Sequence, residues 1–281
     1  MSSVILILAH SNDTGAAAVA AALRGLIGQH EGGNAPARST SDVATAGARV
    51  GLKPSDATEV WLVRPEALCM ARWSHTVDEF GKTTSRLSLP GKPTLGEEQI
   101  KAVLNRLHDL FAPQFAKANP KDRDYAASEF HALIISWLAA CEKRTNAMTN
   151  SIRANPCLHP TLPAMHWKAL AARYGMPLAK CSVAHPIDAN GVWDASVLIA
   201  GKHTSGLLAE QYGTVCRAIC KELGFELLEF RFQRQWHQFV LVDVSHLPAL
   251  HGYTDTAAVA QCLYENAFTQ KSEFALDGVT R

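Results

Sequence analysis

Three oxygen-bearing side chains near the C-terminus, Glu229, Asp243 and Ser245, stand in a pattern that can hold a hard cation. Asp243 precedes Ser245 by two residues at the end of the apolar run Phe239 to Val244, and Glu229 belongs to a neighbouring alternating run. The pleat of a two-stranded sheet brings all three to one face. Carboxylate and hydroxyl oxygens suit Mg²⁺, which leaves coordination positions open for phosphates. The alternative for an acid in a buried strand is a structural one, with Asp243 hydrogen-bonded to a neighbouring polar group. His237, His246 and His251 lie near Asp243 in sequence and offer a second chemistry, a metal or acid/base site. None of the twelve histidines falls in HExxH or HxH spacing. No Gly-x-Ser-x-Gly elbow marks a hydrolase, and Cys157, beside Pro156, has no obvious paired base.

The elements that must position the acids are legible around them. Leu208, Tyr212, Val215, Cys216, Ile219, Cys220 and Leu223 recur at three and four, which predicts an amphipathic helix ended by Gly224. Leu228, Phe230 and Phe232 then alternate with Leu227, Glu229 and Arg231, and a polar turn, Gln233 to Gln238, leads into the second strand. After Ser245-His246-Leu247-Pro248, a last helix starts from Thr254 or Asp255 as N-cap and turns Val259, Cys262 and Leu263 inward. At the other end of the chain, Val4 to Leu8 is a buried-strand run followed by an Ala-rich helix, Gly15 to Ile27, a βα start. That turn lacks the Gly-x-Gly-x-x-Gly of a dinucleotide site. Gln29 to Asp56 reads as a long loop, Glu59 to Arg64 as a strand, and Ser85 to Pro93 as extended. Leu95 to Phe111 places Ile100, Val103, Leu104, Leu107 and Leu110 at helical spacing, and Tyr125 to Glu142 predicts a second long helix, followed by a short extended piece at Ala147 to Asn150.

With 281 residues the chain can form one large or two small domains, and 47% hydrophobic residues describe an ordinary globule. Its 27 basic and 26 acidic residues leave a net charge of +1, with no basic run to favour nucleic acid or an anionic membrane. Seven cysteines without CxxC spacing suit reduced thiols, and neither a signal peptide nor a membrane-spanning run is present, so the expected location is cytoplasmic.

The segments "CRAICKELGFELLEFRF", "FVLVDVSHLP" and "TAAVAQCLYENA" in this order resemble the closing segment of ATP-grasp ligases. There a helix and Leu-Gly lead to a strand bearing an acid, then to a strand ending Glu-x-Asn and a Pro loop. Upstream, "EVWLVRP" is similar to a Trp-x-Arg-Arg-Pro strand of ATP-grasp peptide maturases, with Val63 at the first Arg. "DRDYAASEFHALIISWL" and "HWKALAARYGMP" are similar to the helices of the microviridin-maturation type. The resemblance implies an α/β fold, with a small N-terminal parallel-sheet, pre-ATP-grasp-like domain over 1–120 and a truncated ATP-grasp-like α+β half over 121–281. It also implies a magnesium site for ATP. Asp243 takes the Glu place, Ser245 the Asn place, and Glu229 lies near the place of the first acid.

A nucleotide needs several donors on its phosphates. In the family these come from a strand-rich lid between the segments matched by His166 to Gly175 and Val192 to Ala200. Only about fifteen residues join them here, too few for such a lid at roughly five or six residues per strand. Lys180 and Lys202 are the nearby cofactor-binding candidates. The expectation is therefore a non-catalytic or partner-dependent ATP-grasp relative in peptide or cofactor maturation, without a cofactor of its own. An active carboxylate-amine ligase using ATP and Mg²⁺, and a small-molecule binding protein, are the alternatives. The expected partner is another protein, an enzyme or a peptide substrate. Arg64, Arg72, Trp73, Arg234, Trp236 and His237 supply residue types that anchor interfaces.

Overall fold

A computed structural model of the chain describes residues 3–32, 58–108, 115–145, 148–149, 164–179, 193–250 and 252–268. The elements run β1 (Ser3–Leu8), α1 (Thr14–Gly32), β2 (Thr58–Val63), α2 (Pro65–Cys69), β3 (Arg72–Val77), β4 (Thr83–Ser88) and β5 (Thr94–Gly96). A 3-10 turn (Glu97–Gln99), β6 (Ile100–Asn105), α3 (Pro120–Thr145), β7 (Met148–Thr149) and α4 (Ala164–Arg173) follow. The chain continues with β8 (Ala195–Ala200), β9 (His203–Ser205), α5 (Ala209–Leu223), β10 (Leu227–Gln235), β11 (Gln238–Ser245) and α6 (Tyr253–Phe268).

The strand β1 is apolar at every position from Val4 to Leu8 because both of its faces are covered. It lies inside a parallel sheet of order β2-β1-β6-β7. Val4, Leu6 and Leu8 point to one core, shared with Trp61, Val103, α3 and the three-stranded sheet β3-β4-β5. Ile5 and Ile7 point to the other core, shared with α1, α6, Leu198, Ala200 and Leu227. That second core joins elements from both sides of residue 120. The antiparallel sheet β11-β10-β8-β9 therefore packs one end of one face onto the N-terminal layers. Its opposite face carries Val197, Ile199, Leu228, Phe230 and Phe232 against α4 and α5.

The C-terminal helix-hairpin-helix forms as its patterning predicts, and Gly224 ends α5 in the left-handed conformation at φ 72°. The final helix begins at Tyr253, before both expected N-caps, and Asp255 instead accepts a hydrogen bond from Ser205 at 2.6 Å. The segment expected to be helical over Leu95 to Phe111 contains β5, the 3-10 turn and β6 instead. Ile100, Ala102, Val103 and Leu104 are all buried because β6 is sandwiched between two cores, and such a strand shows no period of two. The polar turn is also shorter than expected: β10 continues to Gln235, leaving Trp236 and His237 between the strands. A short extended piece is present at β7, and the cysteines 69, 141, 216, 220 and 262 are buried. Burial raises both Cys216 and Cys220, the latter to about 12, so these thiols are inert packing groups.

Candidate functional site

The hairpin β10–β11 brings the three predicted oxygen ligands to one sheet face. Glu229 lies opposite Ser245, and Arg231 lies opposite Asp243, just before a bulge at Arg231/Phe232. Pleat alternation puts Glu229 and Arg231 on the same side, away from Phe230. Arg231 then occupies the space between the acids. Its Nε donates to Glu229 Oε2 at 3.0 Å, and its Nη1 donates to Asp243 Oδ2 at 3.2 Å. The Trp193 ring centre lies 4.0 Å from the guanidinium carbon, a cation–π contact.

Each would-be ligand is thereby engaged. Glu229 Oε2 also accepts the Ala249 backbone N–H at 3.3 Å, which ties the strand to the loop before α6. Ser245 Oγ turns into that loop, donating to Leu247 O at 3.0 Å and accepting from Leu247 N at 3.2 Å. Asp243 differs from the expectation of a buried acid, because its side chain is 40% exposed. As a donor set for Mg²⁺ these residues fit poorly: one oxygen of each acid, Glu229 Oε2 and Asp243 Oδ2, already faces the Arg231 cation, which would repel a second cation beside it.

The histidines divide sharply. His246 is buried between the Trp167 and Phe225 rings, at 5.5 and 5.4 Å between ring centres, and neither of its ring nitrogens has a hydrogen-bond partner. Burial lowers its pKa to about 4, against a weaker upward pull from Asp243, so it is neutral at physiological pH. His237 is exposed at the hairpin tip, and His251 lies outside the described residues. Among the described residues no three of His, Cys, Asp and Glu cluster as a metal site.

Of the two lysines, Lys180 lies outside the described residues. Lys202 sits in the β8–β9 turn, where its Nζ is 3.0 Å from Glu265 of α6. The expected interface residues are dispersed. Trp236 is 92% exposed, with a left-handed φ of 56°, and His237 follows it. Arg64 precedes α2 at the end of β2, in a different sheet. Trp73 is half-buried against Trp137 and donates its indole N–H to Leu68 O at 2.9 Å, which makes it part of a core wall.

Sequence reading missed a second polar group, at the carboxyl ends of the parallel strands. Beyond β6, Arg106 is buried and its Nε donates to Asp13 at 2.7 Å, while Asp13 also accepts the Ala16 N–H at the start of α1. His10 and His108 stack with their rings 4.0 Å apart. A Cβ on Gly15 would come within 2.7 Å of Leu250 Cβ, so the β11–α6 loop closes directly onto this edge. The signal was available: polar residues just beyond β1 and beside an acid-containing turn, at the edge where open α/β sheets place their ligands.

No protein-family profile matches the sequence, and no curated protein matches it either. Solved structures do. A peptide-associated ATP-grasp ligase from Chryseobacterium gregarium, solved with ADP and a leader and core peptide, superposes with a TM-score of 0.62 at 11% identity, covering 94% of this chain and 97% of that one. A macrocyclase from Microcystis aeruginosa bound to its precursor peptide gives 0.61 at 9% identity over 92% and 99% of the two chains. A third ATP-grasp ligase, complexed with a minimal precursor, Mg and ADP, gives 0.57 at 12% identity over 94% and 98%. These superpositions, each over more than nine-tenths of both chains, give this protein an ATP-grasp-like fold.

Proposed function

We propose that this chain is a peptide-maturation protein built on the ATP-grasp scaffold, working with a partner and without nucleotide chemistry of its own. The observation that carries the reading is Arg231. A guanidinium bonded to both Glu229 and Asp243 supplies the positive charge that an ATP-escorting magnesium would otherwise bring. Ser245, engaged with Leu247, offers a single hydroxyl where the resemblance implies an Asn. The resemblance puts the covering lid between the segments matched by His166 to Gly175 and Val192 to Ala200, and the roughly fifteen residues that join them are few for a lid at about five or six residues per strand.

A peptide is the partner this reading favours, because the neighbouring structures named above were solved with precursor, leader or core peptides. The exposed Trp236 and His237 at the hairpin tip, with Arg234 beside them, are the residue types and the geometry of an interface anchor. Titration with ATP and Mg²⁺ tests the absence of nucleotide chemistry, and no saturable heat is expected. A micromolar Kd that disappears in Asp243→Ala establishes the active-ligase reading in its place.

A further inference from the structure

On the opposite side of the parallel sheet from Glu229 and Asp243, the β3–β4 hairpin, the 3-10 turn and α3 enclose a cleft of about 520 Å³. That volume is within the range of small-ligand sites. Its wall contains the Glu97 carboxylate, 91% buried as a residue, whose Oε1 has no hydrogen-bond partner. A charged group held out of water normally demands a counter-charge or several donors. Beside it stands Ser85, also buried, whose hydroxyl is fixed at 2.6 Å from His75 Nδ1; His75 Nε2 in turn meets the Ser136 hydroxyl of α3 at 2.8 Å. The interior polar groups of this cleft are thus held in place before any ligand arrives.

The rim is different: Lys82, Lys143 and Glu98 line it and are exposed, two cations against one acid, and Phe80, 86% exposed, supplies an apolar edge on the hairpin turn. A simple cation entering toward Glu97 would meet a rim with an excess of one positive charge. A ligand with a cation at its far end and an anion at its near end satisfies both regions at once. We propose that this cleft binds a basic amino-acid residue with a free carboxylate, its guanidinium or ammonium at Glu97 and its carboxylate at Lys82 and Lys143. Free arginine or lysine and the C-terminal residue of a peptide share this chemistry. The site rests on residues separate from those behind the proposed maturation role, so either can fail without the other.

The test is titration calorimetry at low salt with L-arginine, with the tripeptide Gly-Gly-Arg, and with Gly-Gly-Arg amide, which lacks the carboxylate. Binding of arginine alone identifies a free amino acid as the ligand, and binding of the tripeptide identifies a peptide C-terminus. The amide should bind at least about tenfold more weakly than the acid, because each lost charge-assisted contact is worth about one factor of ten in affinity. Glu97→Gln, nearly isosteric, should abolish the heat while keeping the wild-type melting profile. Lys82→Ala combined with Lys143→Ala, both at exposed positions, should erase the difference between acid and amide. The proposal is overturned if neither arginine nor the tripeptide binds the wild type at millimolar concentration, or if Glu97→Gln binds them equally well.

Discussion

Glu229 and Glu97 are buried to nearly the same degree, 6% and 9% exposed, yet their surroundings are opposite. Glu229 has a guanidinium, a backbone N–H and a fixed place in the β10–β11 ladder. Glu97 Oε1 has no partner, in the wall of an open cleft. Burial alone therefore does not mark a functional acid. What distinguishes the two is whether the protein has already supplied the counter-charge. Where it has, the acid holds the fold together; where it has not, a place is left for something from outside.

Breaking the satisfied half of this comparison should have the largest effect. Arg231→Met leaves Glu229 buried without its cation and should destabilise the protein by about 3 kcal/mol, in the range for a buried pair broken from one side. Adding Glu229→Gln to Arg231→Met should recover much of that loss, since the stranded charge is then gone. Urea denaturation of the two single variants and the double variant measures the coupling. Additivity of the single effects would show that Arg231 and Glu229 do not act as a pair.

His246 sharpens the contrast from within the same loop, as a titratable group buried with no partner but kept neutral. Its folded-state pKa of about 4 lies below the ordinary value of 6.5. Between those two pH values the unfolded chain binds the proton and the folded chain does not. Stability conferred by the neutral ring is thus complete above pH 6.5 and declines as the pH falls toward 4, by a total of up to about 3 kcal/mol. In His246→Phe, which keeps an aromatic ring between Trp167 and Phe225, that part of the acid dependence should vanish from melting curves recorded between pH 7 and pH 4. An unchanged pH profile would assign the acid sensitivity to other groups.

Asp243 tests the outer edge of the satisfied cluster. Its half-exposed carboxylate shares Arg231 with water, so Asp243→Asn should cost only about 0.5–1 kcal/mol, well below the loss for Arg231→Met. Glu97→Gln should leave the melting temperature close to the wild-type value, because Glu97 Oε1 makes no hydrogen bond for the substitution to remove. If Glu97→Gln instead melts as low as Arg231→Met, Glu97 has a structural partner and the two acids are alike.

These contrasts also explain which parts of the molecule were legible. The amphipathic α5, the alternating β10 and the apolar β1 announce themselves because each faces one environment per side chain, and they carry the ATP-grasp resemblance with them. The strand β6 was hidden: Ile100, Val103, Leu104 and Leu107 fall at helical spacing by coincidence, and burial on both faces removes the alternation. Partly exposed and polar, β3 has too few apolar residues to show any period. At the acid face the positions were legible but the chemistry was not. Alternation placed Arg231 beside Glu229, but the register that sets it opposite Asp243 depends on the turn at Trp236 and the bulge after Arg231. The pairing at Arg106 and Asp13 joins residues 93 apart in sequence, a contact that no local pattern encodes.

The smallest expected stability effect belongs to the hairpin tip. Trp236 holds φ at 56° while exposing nearly its whole indole, so neither burial nor a relaxed backbone explains a tryptophan there. Trp236→Gly removes the backbone strain but adds chain entropy to the unfolded state, and the two effects oppose each other within about 1 kcal/mol. The melting temperature should therefore stay close to the wild-type value. If the indole anchors a peptide partner, the same variant should weaken binding at least about tenfold, the typical minimum for an interfacial hot spot. Fluorescence anisotropy with a labelled candidate precursor peptide measures that loss, and His237→Ala distinguishes the indole from its neighbour. A Trp236→Gly protein that is equally stable and binds equally well would remove the hairpin tip from the interface. The search for the partner surface would then move to the edge near Arg106 and Asp13, where the β11–α6 loop closes onto the parallel sheet.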